Sequence, residues 1–407
     1  MTSDLAGSLE IHLDSGSGLA SILSTRPLSA AQVFSGRPVE HVVRQLPNLF
    51  SLCGTAQAAA CVGACEAALG VSPGAPVREV RAFLVQAETV KEHLWRLLLD
   101  WPKALGPSVG VEPSMPLMAT VMQSFVRARQ AVQIGGDPFG PDQLAVSGEG
   151  MRASSRDALA VMHELVTEYA LGVSPAEWAA EITSPLALER WCATSRTPAA
   201  RLVRAVMGGE LRGIGANPVP GLHRFPLDQL ERELDAQHAD SFIAAPEWEG
   251  QCWETGPIAR STGHPLVAGL LVAVGNGLLA RVAALLVELA QAAAALEAPL
   301  SARPSDASEP GGWAGRAGNG HAGSGVGIAM AEAARGLLVH RVVVAGGIVQ
   351  RYQILAPTEW NFHPQGVVAQ GLQGIAKSGI RGAELERLAN LYITAVDPCV
   401  EYRLSVS

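Results

Sequence analysis

Leu337-Leu338-Val339-His340-Arg341-Val342-Val343-Val344, then Ala345-Gly346-Gly347, then Ile348-Val349-Gln350-Arg351-Tyr352-Gln353-Ile354-Leu355 carries the clearest fold signal in the chain. Branched and aromatic residues flank a glycine pair that tolerates positive φ, which predicts two antiparallel strands joined by a tight turn. Glu332-Ala333-Ala334-Arg335-Gly336 leads into this hairpin and Ala356-Pro357-Thr358-Glu359-Trp360-Asn361 leads out of it. Arg335 and Thr358 should therefore stand side by side although they are distant in sequence. A guanidinium fork, a hydroxyl and a backbone fixed by Pro357 make a donor set for a small anionic or polar ligand. Asp397-Pro398-Cys399 follows almost at the terminus.

Outward from this stretch, 407 residues with 48% hydrophobic side chains suffice for one large core or two smaller ones. The net charge of −8 comes without a basic run, which argues against nucleic acid or an anionic membrane as the main partner. Met1 to Ala6 offers neither a basic n-region nor a long apolar segment, so a cytoplasmic protein is expected. Six cysteines without a regular framework suit a reducing compartment, where thiols are buried, metal-bound or reactive. The apolar run from Pro265 to Leu300 is interrupted by Asn276, Arg281, Glu288 and Gln291, so it reads as a long helix buried in a bundle rather than a membrane span.

Ser8 to Ser24 reads as an N-terminal hairpin turning at Gly16-Ser17-Gly18. An alanine-rich helix opens near Cys53. Cys61 and Cys65 lie on one of its faces as small core residues, whereas Cys53 sits at the start, where a helix N-terminus favours a thiolate. Pro76 to Trp101 is an amphipathic helix stopped by Pro102, with His93 a satisfied or surface residue on it. Further helices are expected at 117–132, 156–171, 175–182 and 227–238, and a polar one between Gly371 and Asn390. Cys192 and Cys252 read as structural. Residues 301–325, rich in Gly, Ser, Ala and Pro, should form a flexible loop within a single domain spanning 1–407.

The order Glu-Ala-x-Arg-Gly, strand pair, Pro-Thr-x-Trp-Asn and Asp-Pro-Cys resembles the C-terminal part of nickel-iron hydrogenase large subunits. The resemblance implies a mainly α fold with small antiparallel β elements near both termini, an α+β helical bundle that brings Cys53, Arg335, Thr358 and Cys399 together. In that family the arginine and the Ser/Thr after proline hydrogen-bond the cyanides of an iron with two cyanides and one carbon monoxide. Two Cys-x-x-Cys pairs, the second followed by a histidine, hold nickel and iron there. Cys53 and Cys399 match the first cysteine of each pair, whereas Ala56 and Tyr402 stand where the second cysteines belong and Ser405 where the histidine does. Ala31 occupies the place of a proton-passing glutamate, Ala334 that of the usual proline, and the chain ends two residues after Ser405.

Nickel on two thiolates lacks the sulfur-rich shell its redox chemistry needs, so hydrogen cleavage and bound nickel are not expected. The chain is most similar in these features to the HupK/HoxV type of hydrogenase formation protein. That resemblance implies a non-catalytic scaffold which transiently holds the iron dicyanide-carbonyl unit. Arg335, Pro357 and Thr358 would face the unit, and Cys53 and Cys399, with Cys61 as a further thiolate, would bind its iron. Implied partners are HypC/HypD-type maturation proteins and the hydrogenase large subunit. The same residues also admit a divergent nickel or iron enzyme, or a metal-free docking protein in which Arg335 merely pairs with a carboxylate.

Overall fold

The structure, a computed structural model, describes residues 7–28, 30–50, 53–133, 137–140, 149–222, 225–297, 315–317 and 323–407. A helical body carries two small sheets. In the first, β1 (Ser8–Asp14) and β2 (Leu19–Ser24) form the expected antiparallel hairpin, and β7 (Glu401–Val406) adds to the other edge of β1. This last pairing is parallel, not antiparallel as expected, because the chain enters β7 from the same end as β1. In the second sheet the order is β3 (Gly315–Ala317), β4 (Gly325–Ala333), β5 (Gly336–Ala345) and β6 (Ile348–Leu355), all antiparallel. Gly346 (φ 57°) and Gly347 (φ 74°) supply the two left-handed positions that the β5–β6 turn requires. Within the expected 301–325 loop, 315–317 is instead the strand β3, and 301–314 and 318–322 lie outside the described residues.

The Gly54–Leu69 helix lies directly on β4. A Cβ at Gly327 would meet the Ala64 carbonyl oxygen at 1.9 Å, and one at Gly325 would meet that of Ala68 at 2.4 Å. Small residues on both partners therefore set the distance between helix and sheet, and with it the position of the helix start. Valine at position 327 should cost at least the ~1–3 kcal/mol typical of overpacking. The expected result is a lowered melting temperature by circular dichroism, and an unchanged one would contradict this packing.

The Ala75–Trp95 helix does not stop at Pro102. It widens into a π turn at Arg96–Asp100 and continues as Trp101–Leu105, so that Pro102 falls in a first turn where its missing N–H is tolerated. Its polar side is buried as well as its apolar one: Glu88, Lys91, Glu92, His93 and Arg96 are all nearly inaccessible. The apolar run after Pro265 is two helices, Pro265–Val274 and Leu278–Glu297, broken at Gly275-Asn276-Gly277, where Asn276 accepts a hydrogen bond from the Asn217 amide at 2.8 Å. Leu278–Glu297 is long and apolar enough to cross a membrane, but Leu278, Leu286 and Leu289 have no exposed surface and form part of the core. The polar helix expected from Gly371 is likewise two, Val367–Lys377 and Gly382–Val396, because Gly379 (φ 89°) and Gly382 (φ 60°) interrupt it.

Candidate metal-holding cleft

Three chain segments meet at one cleft. Cys53 precedes the Gly54–Leu69 helix as its cap residue, Pro357 and Thr358 form the first turn of the Pro357–Asn361 helix at the end of β6, and Cys399 follows the Gly382–Val396 helix. The β4–β5 turn with Arg335 lies at the same end of the sheet as the exit of β6, as the hairpin pattern implies. The cleft has an empty volume of about 820 Å³, mouth included, and its lining includes Arg26, Cys53, Gln57, Pro357, Glu359 and Cys399.

The Cys53 and Cys399 thiols are half-buried and hydrogen-bonded to each other. The bond from Cys53 pulls the Cys399 pKa down to about 6 against the cost of burial, aided by the Arg335 and Arg26 charges and the Thr358 hydroxyl. The same bond, with burial, drives Cys53 well above the ordinary thiol value. The two shifts run in opposite directions, so of the pair Cys399 is the sulfur that loses its proton more readily. The thiolate expected at the helix start is therefore not favoured at Cys53: the Cys399 bond and burial outweigh the helix end, and the Thr55 and Ala56 amides there both donate to the buried Glu88 carboxylate at 2.9 Å. Thr358 Oγ1 also accepts from the Cys399 amide at 3.4 Å.

Arg335 is buried and already paired. Its Nε donates to Asp397 Oδ1 and its Nη1 to Glu92 Oε2, each at 2.8 Å, while Lys91 Nζ sits 2.6 Å from the other Glu92 oxygen. Asp397, with φ 71°, also pairs with Arg96 and turns the chain out of its helix toward Cys399. Arg335 therefore fixes this turn and adds positive charge beside the two sulfurs. Behind Cys53 runs a buried polar chain. Gln57 Nε2 donates to Cys53 Sγ at 3.7 Å, His340 Nε2 donates to Gln57 Oε1 at 2.8 Å, and the Tyr352 hydroxyl donates to His340 Nδ1 at 2.8 Å. Burial pushes His340 down to about 3, so it stays neutral.

Cys61 sits at the far end of that chain, bonded to Tyr352 and to Cys65. Eight residues along the helix put it about 12 Å from Cys53, so the structure does not bring Cys61 into the cleft. Ala56 packs among Ala60, Ala331 and Ala333, the Tyr402 hydroxyl donates to Asn390 Oδ1 at 3.2 Å, and Ser405 Oγ bonds His12 Nδ1 at 3.0 Å. One residue of the cleft had no motif to announce it. Arg26 lies 3.3 Å through its Nε from Glu359, and its Nη1 is buried without a hydrogen-bond partner. The sequence hint was only a cation placed between the N-terminal hairpin and Pro27.

A model of the nickel-dependent hydrogenase family matches residues 273–400. The chain is 32% identical to the hydrogenase expression/formation protein HoxV of Cupriavidus necator, over 94% of this chain and 91% of that protein. It is 29% identical to the hydrogenase expression/formation protein HupK of Azotobacter vinelandii over 99% of each. Its fold matches the nickel-iron-selenium hydrogenase of Desulfovibrio vulgaris Hildenborough with a TM-score of 0.62 at 16% identity, covering 94% of this chain and 93% of that one. Near-full-length similarity together with the shared fold means that the chain belongs to the HoxV/HupK family of hydrogenase expression/formation proteins, built on the hydrogenase large-subunit fold.

Proposed function

We propose that the chain is a non-catalytic scaffold of hydrogenase maturation, which holds the iron dicyanide-carbonyl unit between Cys53 and Cys399 before it passes to the hydrogenase large subunit. The observation that carries this is the pair of cysteines, Cys53 and Cys399, lining one open cleft while the neighbouring ligand positions hold Ala56 and Tyr402. Two sulfurs and an open coordination sphere suit a metal that must leave again, whereas a closed four-ligand site suits one that stays. Cys399 offers a ready thiolate, and Cys53 gives up its proton when the iron arrives.

The unpartnered Arg26 Nη1 fits an acceptor such as a cyanide nitrogen. Arg335, held by Glu92 and Asp397, acts through its charge and through the turn it fixes. Because both cysteines occupy first positions of the family pairs, the iron sits displaced from the place it takes in a hydrogenase. HypC/HypD-type proteins are the donors in this scheme and the large subunit is the acceptor. The pairing of Arg335 Nε and Nη1 with two carboxylates is the observation that favours a metal-free docking protein instead.

Metal content decides between them. Protein purified without oxygen from cells with an intact maturation system should contain iron and no nickel, and Arg26→Gln should weaken iron retention about tenfold, as loss of an outer-shell partner does. Metal-free protein would favour docking, and stoichiometric nickel would favour a divergent enzyme.

A further inference from the structure

Outside the cleft, three metal-ligating side chains, Glu247, Cys252 and His363, converge that lie outside the sequence motifs quoted above. Trp248 and Gln251 exchange two backbone hydrogen bonds, at 3.0 and 3.1 Å, around Glu249 (φ 53°) and Gly250 (φ 71°). This is the two-residue turn with both central residues left-handed, and it sets the flanking pair, Glu247 and Cys252, opposite each other on one face. His363 comes to that face from the end of the Pro357–Asn361 helix. The Gly366 amide closes a turn onto the His363 carbonyl at 2.8 Å, and Gly366 has no room for a Cβ, which would lie 2.9 Å from that of His363.

The imidazole is thereby aimed at the turn. Its Nδ1 lies 3.2 Å from Cys252 Sγ, its Nε2 lies 3.7 Å from Glu247 Oε1, and the ring is near the Ala245 backbone. One ligand atom from each of the three residues lies within 4.8 Å of the others. A tetrahedron around zinc with bonds of about 2.0–2.3 Å has edges of about 3.3–3.8 Å. Glu247, the exposed member of the three, closes the remaining gap by moving its side chain. The buried His363 and half-buried Cys252 form a fixed base, and the carboxylate forms the mouth through which an ion enters.

We propose that Glu247, Cys252 and His363 form a second metal site, separate from the cysteine cleft and suited to a zinc-type cation. Thiolate, imidazole and carboxylate together match zinc better than the hard cations, and three protein ligands leave a fourth position to water. The cation replaces the Cys252 S–H proton at Nδ1, which is released to solvent. It also displaces the Gln365 backbone amide, which donates to Nδ1 at 3.0 Å. Occupation pins the Pro357–Asn361 helix, and so Thr358, to the 247–252 turn. The site goes beyond the scaffold role and does not depend on it.

The test uses cobalt(II) as a visible stand-in for zinc on the full chain after chelator treatment. The Cys53→Ala/Cys399→Ala double variant, which leaves only this site, should show one equivalent of tetrahedral cobalt with a thiolate-to-metal band, displaced by zinc. Cys252→Ser should lose that band, and Glu247→Gln, a change at an exposed position that spares the fold, should weaken cobalt binding at least about tenfold. Zinc should raise the melting temperature of the double variant but not of its Cys252→Ser derivative. No band in the double variant, or a band unchanged by both Cys252→Ser and Glu247→Gln, overturns the proposal.

Discussion

Arg335→Met should destabilise the protein by about 3 kcal/mol. Removing one partner of a buried ion pair costs about 3–5 kcal/mol, because the other charge is left without compensation. Here two carboxylates are stranded, Glu92 and Asp397, but Lys91 remains on the first and Arg96 on the second, which places the loss at the low end. The same variant removes a positive charge beside Cys399, so its thiolate becomes harder to form. Alkylation of wild-type Cys399 should persist at neutral pH and fall away as the pH drops through about 6, whereas in Arg335→Met the fall should begin at higher pH. Denaturant titration and a pH series of alkylation, read by mass spectrometry, check both parts. Normal stability would mean that the ion pairs do not form, and an unmoved alkylation profile would mean that Arg335 does not act on the thiolate.

Cys399→Ala should abolish iron retention, by more than about a hundredfold in affinity, since even an outer-shell partner is worth about 10- to 100-fold. It removes one of the two sulfurs, the one with the lowered pKa, and leaves Cys53 as a single half-buried ligand. The fold should survive, because Cys399 is half-buried and belongs to no strand or helix. Hydrogenase activity in cells carrying the variant should fall in step with the lost iron. An iron content equal to wild type would remove Cys399 from the site.

The parts of the fold that follow from local chemistry were legible in the sequence. Gly346-Gly347 between two branched runs could hardly form anything but a tight turn, and that hairpin carries Arg335 and Thr358 to one end of the sheet. The approach of Cys53 to Cys399 came only from the family resemblance, since nothing local to either cysteine records it. The pairing of β7 with β1 was illegible for the same reason: each strand is short, and its partner lies at the other end of the chain. Pro102 misled because a π turn ahead of it resets the helix, and that turn has no residue signature.

The electrostatics were the least readable part. Nothing in the amphipathic pattern of the helix signalled that Glu88, Lys91, Glu92 and Arg96 are buried: Glu92 and Arg96 meet Arg335 and Asp397, Glu88 meets the Thr55 and Ala56 amides, and Lys91 lies over Phe125. Cys61 shares a helix with Cys53, but its rotation and the rise of two turns point it at Tyr352 instead. Arg26 belongs to no motif, and only its buried, unpartnered Nη1 marks it.

Infrared spectroscopy on protein purified without oxygen from cells with an intact maturation system is the most direct test of the scaffold. Cyanide and carbon monoxide stretching bands should be present in wild type and absent from both Cys53→Ala and Cys399→Ala, with iron but no nickel in the sample that shows them. Wild-type protein without such bands, or bands that survive both substitutions, would contradict a unit held between these two sulfurs.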